Sequence, residues 1–253
     1  MRTLKTVILS VALAVGLGGA AVASEGVHIP EQSWPHSGVF GTIDKKAAQR
    51  GYQVYKEVCA ACHSLRLFAF RNLDGIGFTE EQIKDFAATV EVQAGPNDNG
   101  EMFMRPGIPA DRFPSPFPNE QAARAANNGA YPPDLTLMAK ARVGGENYIY
   151  ALMTGYEDAP ADVTLMPGMS YNKYFPGHQI GMPPILSEGA VTYADGTPST
   201  AEQMAKDVST FLVYTAEPNL DERHQMGVKV LLFLLVFTGL MYATKRQLWR
   251  NIH

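Results

Sequence analysis

The sequence predicts a mostly α-helical domain with long irregular loops, joined to one C-terminal transmembrane helix. Three observations carry that reading. Short segments with helical apolar spacing alternate with stretches dense in Pro and Gly, 17 and 23 of them in 253 residues. No segment alternates clearly enough to read as a strand, and no internal repeat is evident. Near the C-terminus, Gly227 to Ala243 is an almost unbroken apolar run.

The chain begins with Arg2 and Lys5, an apolar stretch from Val7 to Leu17, and the small residues Ala21-Val22-Ala23. A charged start, a short apolar middle and an A-x-A end read as a signal peptide over residues 1–23. Residues 24–44 contain Pro, Gly and His and are expected as an extended leader. A helix is expected from Asp44 to Ser64, capped by Asp44, with Ala47, Ala48, Gly51, Tyr52, Tyr55 and Val58 near helical spacing. Thr79 to Val90 reads as a second helix. Thr79 and Gln82 form a capping box there, and Ile83, Phe86 and Ala87 form the inner face. Residues 95–118 hold repeated Pro and Gly and are expected to be irregular. Glu120 to Asn127 is a short helix stopped by Asn128-Gly129. Gly145 to Thr154 is helical with Tyr148, Ile149 and Leu152 inward. Residues 155–198 are again dense in Pro and Gly. Thr200 to Tyr214 is a helix that ends before Pro218.

The apolar run with its flanks, residues 226–244, makes about 28 Å of helix at ~1.5 Å per residue. That spans the hydrocarbon core of a bilayer. Lys229 can snorkel to the interface. Lys245, Arg246 and Arg250 follow the run, which places the tail, residues 245–253, on the cytoplasmic side. Residues 24–225 then form one periplasmic domain. This domain holds 15 basic and 25 acidic residues, so its net charge is near −10. Such a field attracts a basic partner and disfavours nucleic acid, although it also serves plain solubility.

The chain's two cysteines stand in Cys59-Ala60-Ala61-Cys62-His63. This is C-x-x-C-H, the attachment pattern of haem c. Two thiols three positions apart on a helical turn can reach two vinyl groups on one edge of a haem. The adjacent imidazole of His63 then serves as the proximal iron ligand. A redox C-x-x-C is the competing reading, but its usual βαβ setting is absent. A zinc site needs four ligands, and there is no second Cys pair. Both cysteines are expected as thioethers to one haem c. For the sixth ligand, Met182 is the best candidate, because Gly181-Met182-Pro183-Pro184 is a Pro-stiffened extended loop. Met102, Met104, Met166 and Met169 also lie in loops, and His178 is a competitor. Spacing leaves the choice among them open.

These residues in order resemble the cytochrome c1 family, the haem subunit of the cytochrome bc1 complex. The likeness rests on GYQVYKEVCAACHS at 51–64, EMFMRPG at 101–107, PSPFPNEQAARAANNGAYPPDL at 114–135 and GGENYIYALMTGY at 144–156. It continues through YFPG at 174–177, GMPP at 181–184, DGTPST at 195–200, DVSTFLVYTAEP at 207–218 and KRQLW at 245–249. The resemblance implies a class I-like cytochrome c domain with Met182 as the second axial ligand. It implies Arg142 and Tyr148 near the haem propionates, and Asn127 and Pro133 in the haem pocket. It implies cytochrome b and a Rieske iron–sulfur protein as partners in a ubiquinol–cytochrome c oxidoreductase, with a basic cytochrome c as electron acceptor. Two departures stand out. Relatives often place one more residue between the axial Met and the Pro pair. Some also carry a disulfide after the TGY stretch, where Glu157-Asp158 stand here. Glu157, Asp158 and Asp162 form the densest acidic cluster and are candidates for docking the acceptor. The rival readings are a free-standing membrane-tethered cytochrome that shuttles to a terminal oxidase, and a haem enzyme or gas sensor with a weak sixth ligand.

Overall fold

The computed structural model describes residues 27–251, so the segment read as a signal peptide lies outside the described residues. Helix α1 spans Lys45–Val54 and continues as a wider π turn, Tyr55–Cys59. A 3-10 segment covers Phe70–Ile76. Helices α2 (Glu80–Ala88), α3 (Glu120–Ala126), α4 (Met138–Ala141), α5 (Gly145–Thr154), α6 (Ala201–Ala216) and α7 (Leu220–Trp249) follow. Strand β1 (Glu91–Ala94) pairs antiparallel with β2 (Phe103–Pro106), and β3 (Ser170–Tyr171) pairs antiparallel with β4 (Gln179–Ile180).

The helix starts follow from their caps. The Asp44 carboxylate accepts from the backbone N–H groups of Lys46 and Ala47 at the start of α1. Thr79 and Gln82 form the expected reciprocal capping box on α2, and Thr200 accepts from Gln203 N on α6. Each satisfies a donor that the first turn leaves without a partner. At the end of α3, Asn128 and Gly129 adopt left-handed backbone angles, φ 50° and 88°.

The core is the contact of α1 with α6. Gly51 is required there, because a Cβ would collide with the Asp207 backbone. Aromatic rings fill the space beside this crossing. Phe211 is fully buried among Tyr52, Tyr55 and Phe68, at centroid distances of 5.7, 5.9 and 6.0 Å. Phe70 stacks on Phe113 at 4.0 Å. Edge and stacked pairs of this kind add to the burial of large apolar surface.

Asp207 is fully buried at the same crossing. Arg50 meets it with a two-pronged bond: Nε donates to Oδ2 and Nη2 to Oδ1, both at 2.9 Å. Nη1 reaches Asp195 at 2.9 Å. The Tyr193 ring lies 5.8 Å from the guanidinium carbon. The hydrogen bond that Arg50 donates to Asp207 is the main cause that raises the Arg50 pKa above its ordinary value. A bidentate guanidinium–carboxylate pair is the geometry that lets a buried charge stay ionised.

The structure departs from the sequence reading in five places. The helix expected to Ser64 leaves α geometry at Val54, because Ala60 N donates to Tyr55 O, five residues back, at 2.8 Å. Such widened turns concentrate at functional sites. Residues 95–118 are not wholly irregular, since β2 falls inside them. Met138–Ala141 and the 3-10 segment are helical elements that the apolar spacing did not mark. Leu152 is only half-buried, and Ala151 takes the inward position. The leader is not extended throughout: it turns at Pro35-His36 and at Val39-Phe40, and it is docked through Trp34, whose indole Nε1 donates to Asn147 Oδ1 at 2.7 Å.

Helix α7 is 30 residues long, about 45 Å at ~1.5 Å per residue. It is long and apolar enough to cross a membrane. Its Leu231, Phe233, Leu235 and Phe237 all face outward. Asp207→Ala should leave Arg50 Nε and Nη2 without their acceptor, with only the Asp195 bond remaining. We expect a loss of about 1–3 kcal/mol in urea unfolding, the usual result of leaving buried donors without a partner.

Candidate haem site

The attachment motif occupies the turn that ends α1. Cys59 is buried and Cys62 half-exposed. His63 N and Cys62 N both donate to Cys59 O, at 2.9 and 3.1 Å, so the two sulfurs and the imidazole leave one tight turn. Burial pushes the Cys59 thiol up to about 12.

His63 is 8% exposed and its Nδ1 lies 2.8 Å from Pro133 O. A carbonyl can only accept, so Nδ1 carries the proton and Nε2 keeps its lone pair. That tautomer is the one a metal-ligating imidazole requires. Burial also lowers the His63 pKa, against the opposing effect of Pro133, which keeps the ring neutral. Among the described residues, no group bonds to Nε2. The donor set and tautomer therefore fit a haem c.

Asp134 sets the position of that carbonyl. Its Oδ2 accepts from Ser64 Oγ and Arg66 N, each at 2.8 Å, and its Oδ1 accepts from Thr136 N at 3.0 Å. Leu135 N donates to Ser64 O at 2.9 Å. On the other side, the Tyr55 hydroxyl donates to His63 O at 3.0 Å. Burial alone would raise the Asp134 carboxyl. The hydrogen bonds from Thr136, Arg66 and Ser64 outweigh it and hold the carboxyl below its usual 3.8.

The Met182 loop lies against the same segment. A Cβ at Gly181 would press on Ala130 at 2.9 Å, with Met169 Sδ at 3.7 Å. The Tyr156 hydroxyl donates to Met182 O at 3.0 Å. Burial, and after it the neighbouring Tyr148, raises the Tyr156 phenol. Tyr148 is 9% exposed, and burial raises its phenol while the Arg142 guanidinium pulls it partly back. Of these residues Tyr156 is bonded to the Met182 backbone, while Arg142 and Tyr148 act on their neighbours through charge and burial. Asn127 bonds Ala123 O at 2.7 Å through Nδ2 and ends α3. His178 is engaged on its own loop, stacked on Tyr171 at 5.6 Å. Met102, Met104 and Met166 are exposed, and Met169 and Met182 are half-buried in adjacent loops.

The segment where some relatives carry a disulfide is pinned by other means. Fully buried Asn172 donates from Nδ2 to Leu152 O at 2.7 Å. Lys173 N donates to Gly155 O at 3.0 Å, and Lys173 Nζ reaches Glu157 at 3.6 Å. Glu157 and Asp158 border a cavity of about 670 Å³ that Met169 and Pro184 also line.

The cytochrome c1 family model matches residues 34–252, from the docked leader through the attachment turn and α7. The chain belongs to the cytochrome c1 family. It is therefore the haem subunit of a cytochrome bc1 complex, and haem c is its cofactor. It is similar to cytochrome c1 of Rhodospirillum rubrum, at 48% identity over 98% of this chain and 97% of the relative. It is similar to the mitochondrial cytochrome c1 haem protein of Saccharomyces cerevisiae, at 49% over 91% of this chain and 75% of the relative. A cytochrome b/c1 of Bradyrhizobium diazoefficiens is 48% identical over 97% of this chain, which covers 40% of that longer protein.

Three residues here escape a reading of spacing alone: Tyr55, Asp134 and Tyr156. Tyr55 could be found as the residue one helical turn before Cys59. Asp134 and Tyr156 act across 70 and 26 residues, and only the fold pairs them with their targets. Asp134→Ala should cost about 1–3 kcal/mol, because it leaves Arg66 N and Thr136 N without their acceptor. In chemical denaturation the wild-type advantage should be full above pH ~3.8. It should fade as pH falls through the lower folded-state value, because the folded carboxyl protonates last.

Proposed function

We propose that this cytochrome c1 family member holds one haem c through thioethers from Cys59 and Cys62, with His63 and Met182 as axial ligands. When bound, the haem supplies one-electron outer-sphere redox chemistry. The chain's own residues supply the rest. Pro133 O orients His63, and Tyr156 and Gly181 set the Met182 loop. Arg142 provides a guanidinium for a propionate, with Tyr148 beside it, and Asn127 closes the pocket. Side chains at both axial positions leave no open coordination site, which separates this reading from a haem enzyme or a gas sensor. The observation that carries the proposal is the His63–Pro133 bond, since it selects the ligating tautomer.

The electron comes from the Rieske iron–sulfur protein and leaves to a basic cytochrome c. The haem domain is periplasmic in a bacterial inner membrane, with Lys245, Arg246 and Arg250 on the cytoplasmic side. Two features support this over a free shuttle. Only Glu217, Pro218 and Asn219 separate α6 from α7, and Leu220 is 5% exposed. A shuttle needs a long flexible linker instead. The acidic Glu157 and Asp158 share their cavity with Pro184, two residues past Met182, which brings negative charge to the side of the ligand loop.

Met182→Leu should abolish the low-spin spectrum of the haem-loaded protein and shift its midpoint potential. Met169→Leu and His178→Gln should leave both in place. An unchanged Met182→Leu spectrum removes this ligand assignment. Neutralising Glu157, Asp158 and Asp162 together should slow cytochrome c reduction at low salt by about tenfold or more, with little effect at high salt. Stopped-flow rates across ionic strength measure this, and an equal rate at low salt removes the docking role.

A further inference from the structure

We propose that the turn at Val39–Phe40 is a second membrane contact, seated in the interfacial layer of the bilayer beside the start of α7. It rests on the reading of α7 as a membrane span. Phe40 is 82% exposed and Val39 61%. Phe40 is more exposed than Phe233 or Phe237 of the apolar helix, at 64% and 48%. A Phe this bare on a water-facing surface stabilises nothing, whereas aromatic rings collect where hydrocarbon meets headgroups.

The turn is rigid and is fixed to the membrane helix. Gly41 N donates to Gly38 O at 3.2 Å, and Thr42 N to Pro35 O at 3.1 Å. Gly38 takes a left-handed φ of 79°, and a Cβ at Gly41 would strike the His36 backbone. Two bonds then run to the first turns of α7. His224 Nδ1 donates to Gly41 O at 2.8 Å, and Ile43 N donates to Asp221 Oδ1 at 2.9 Å.

Those bonds set the height of the turn. His224 precedes Met226, the first residue of the span read over 226–244, by about 3 Å of helix rise at ~1.5 Å per residue. The interfacial layer beside the hydrocarbon core is roughly 5–7 Å deep on each side. A tip bonded at His224 therefore meets the layer where the helix enters it. Going back along the chain, the contacts with α7 climb from Ile43 at Asp221 to Gly41 at His224, toward the apolar run, and the exposed Val39 and Phe40 come next, so lipid is their occupant. One spanning helix by itself can rotate and tilt. A second contact beside it restricts both, and so orients the haem domain.

The test uses the haem-loaded full chain in vesicles of phosphatidylcholine and phosphatidylglycerol. Single nitroxide labels are placed through Phe40→Cys, Leu235→Cys in the apolar run, and Asp98→Cys between β1 and β2. Collisions with oxygen and with a water-soluble nickel chelate report depth. We expect the label at 40 to shift toward oxygen relative to the label at 98, though less than the label at 235. If the label at 40 matches the label at 98 while the label at 235 is deep, the second contact is overturned and the span stands. If the label at 235 is also aqueous, the span itself is wrong and the proposal falls with it. A label at 40 that is aqueous in vesicles but shielded from both reagents in the assembled complex assigns the turn to a protein partner and overturns the lipid assignment.

Discussion

An imidazole becomes a metal ligand only when its other nitrogen is committed elsewhere. Here that commitment is a single bond from His63 Nδ1 to Pro133 O, and the local structure is arranged to keep the carbonyl in place. The Asp134 carboxylate, next in sequence, fastens its own strand of chain to Ser64, Arg66 and Thr136. The backbone pair between Leu135 and Ser64 runs alongside. Tyr55 holds the far side of His63 from within the π turn. The aromatic core around Phe211 backs that turn, so the proposed ligand is positioned by packed core side chains.

The Met182 loop and its neighbours have no helix to hold them, and loops need pins. Tyr156 ties the Met182 backbone to the end of α5, and buried Asn172 ties the next loop to the same helix end. A side-chain amide bonded to a backbone carbonyl in the interior does locally what a disulfide does elsewhere: it makes one loop path cheaper than its alternatives. Its strength depends on exclusion of water, and Asn172 is fully buried. Polar pins and buried glycine contacts thus replace covalent ones in this chain.

The link to the membrane is equally direct. α6 is the partner of α1 in the core, and it passes into α7 through three residues. A motion of the membrane helix is therefore a motion of the core helix beneath the attachment turn. This suits a subunit whose cofactor must keep a fixed station between a donor and an acceptor, because electron transfer depends on distance and on little else that the protein can vary quickly.

The sequence by itself determined the local features. Asp44, Thr79, Thr200 and Asn128-Gly129 specify helix ends through short-range bonds. C-x-x-C-H specifies covalent attachment through spacing within one turn, and Gly227 to Ala243 specifies a membrane-length helix through composition. Each of these depends on neighbours a few residues apart, which a linear reading can see. The tertiary structure alone decided which carbonyl orients His63, how α1 widens at Tyr55, and which phenol holds the Met182 loop. It also decided that the leader packs onto α5 and that Val39–Phe40 stands at the foot of α7. Apart from the widened turn at Tyr55, those pairings join residues from 26 to 183 positions apart. No periodicity encodes them, because they exist only once the hydrophobic crossing of α1 and α6 has brought distant segments within bonding distance.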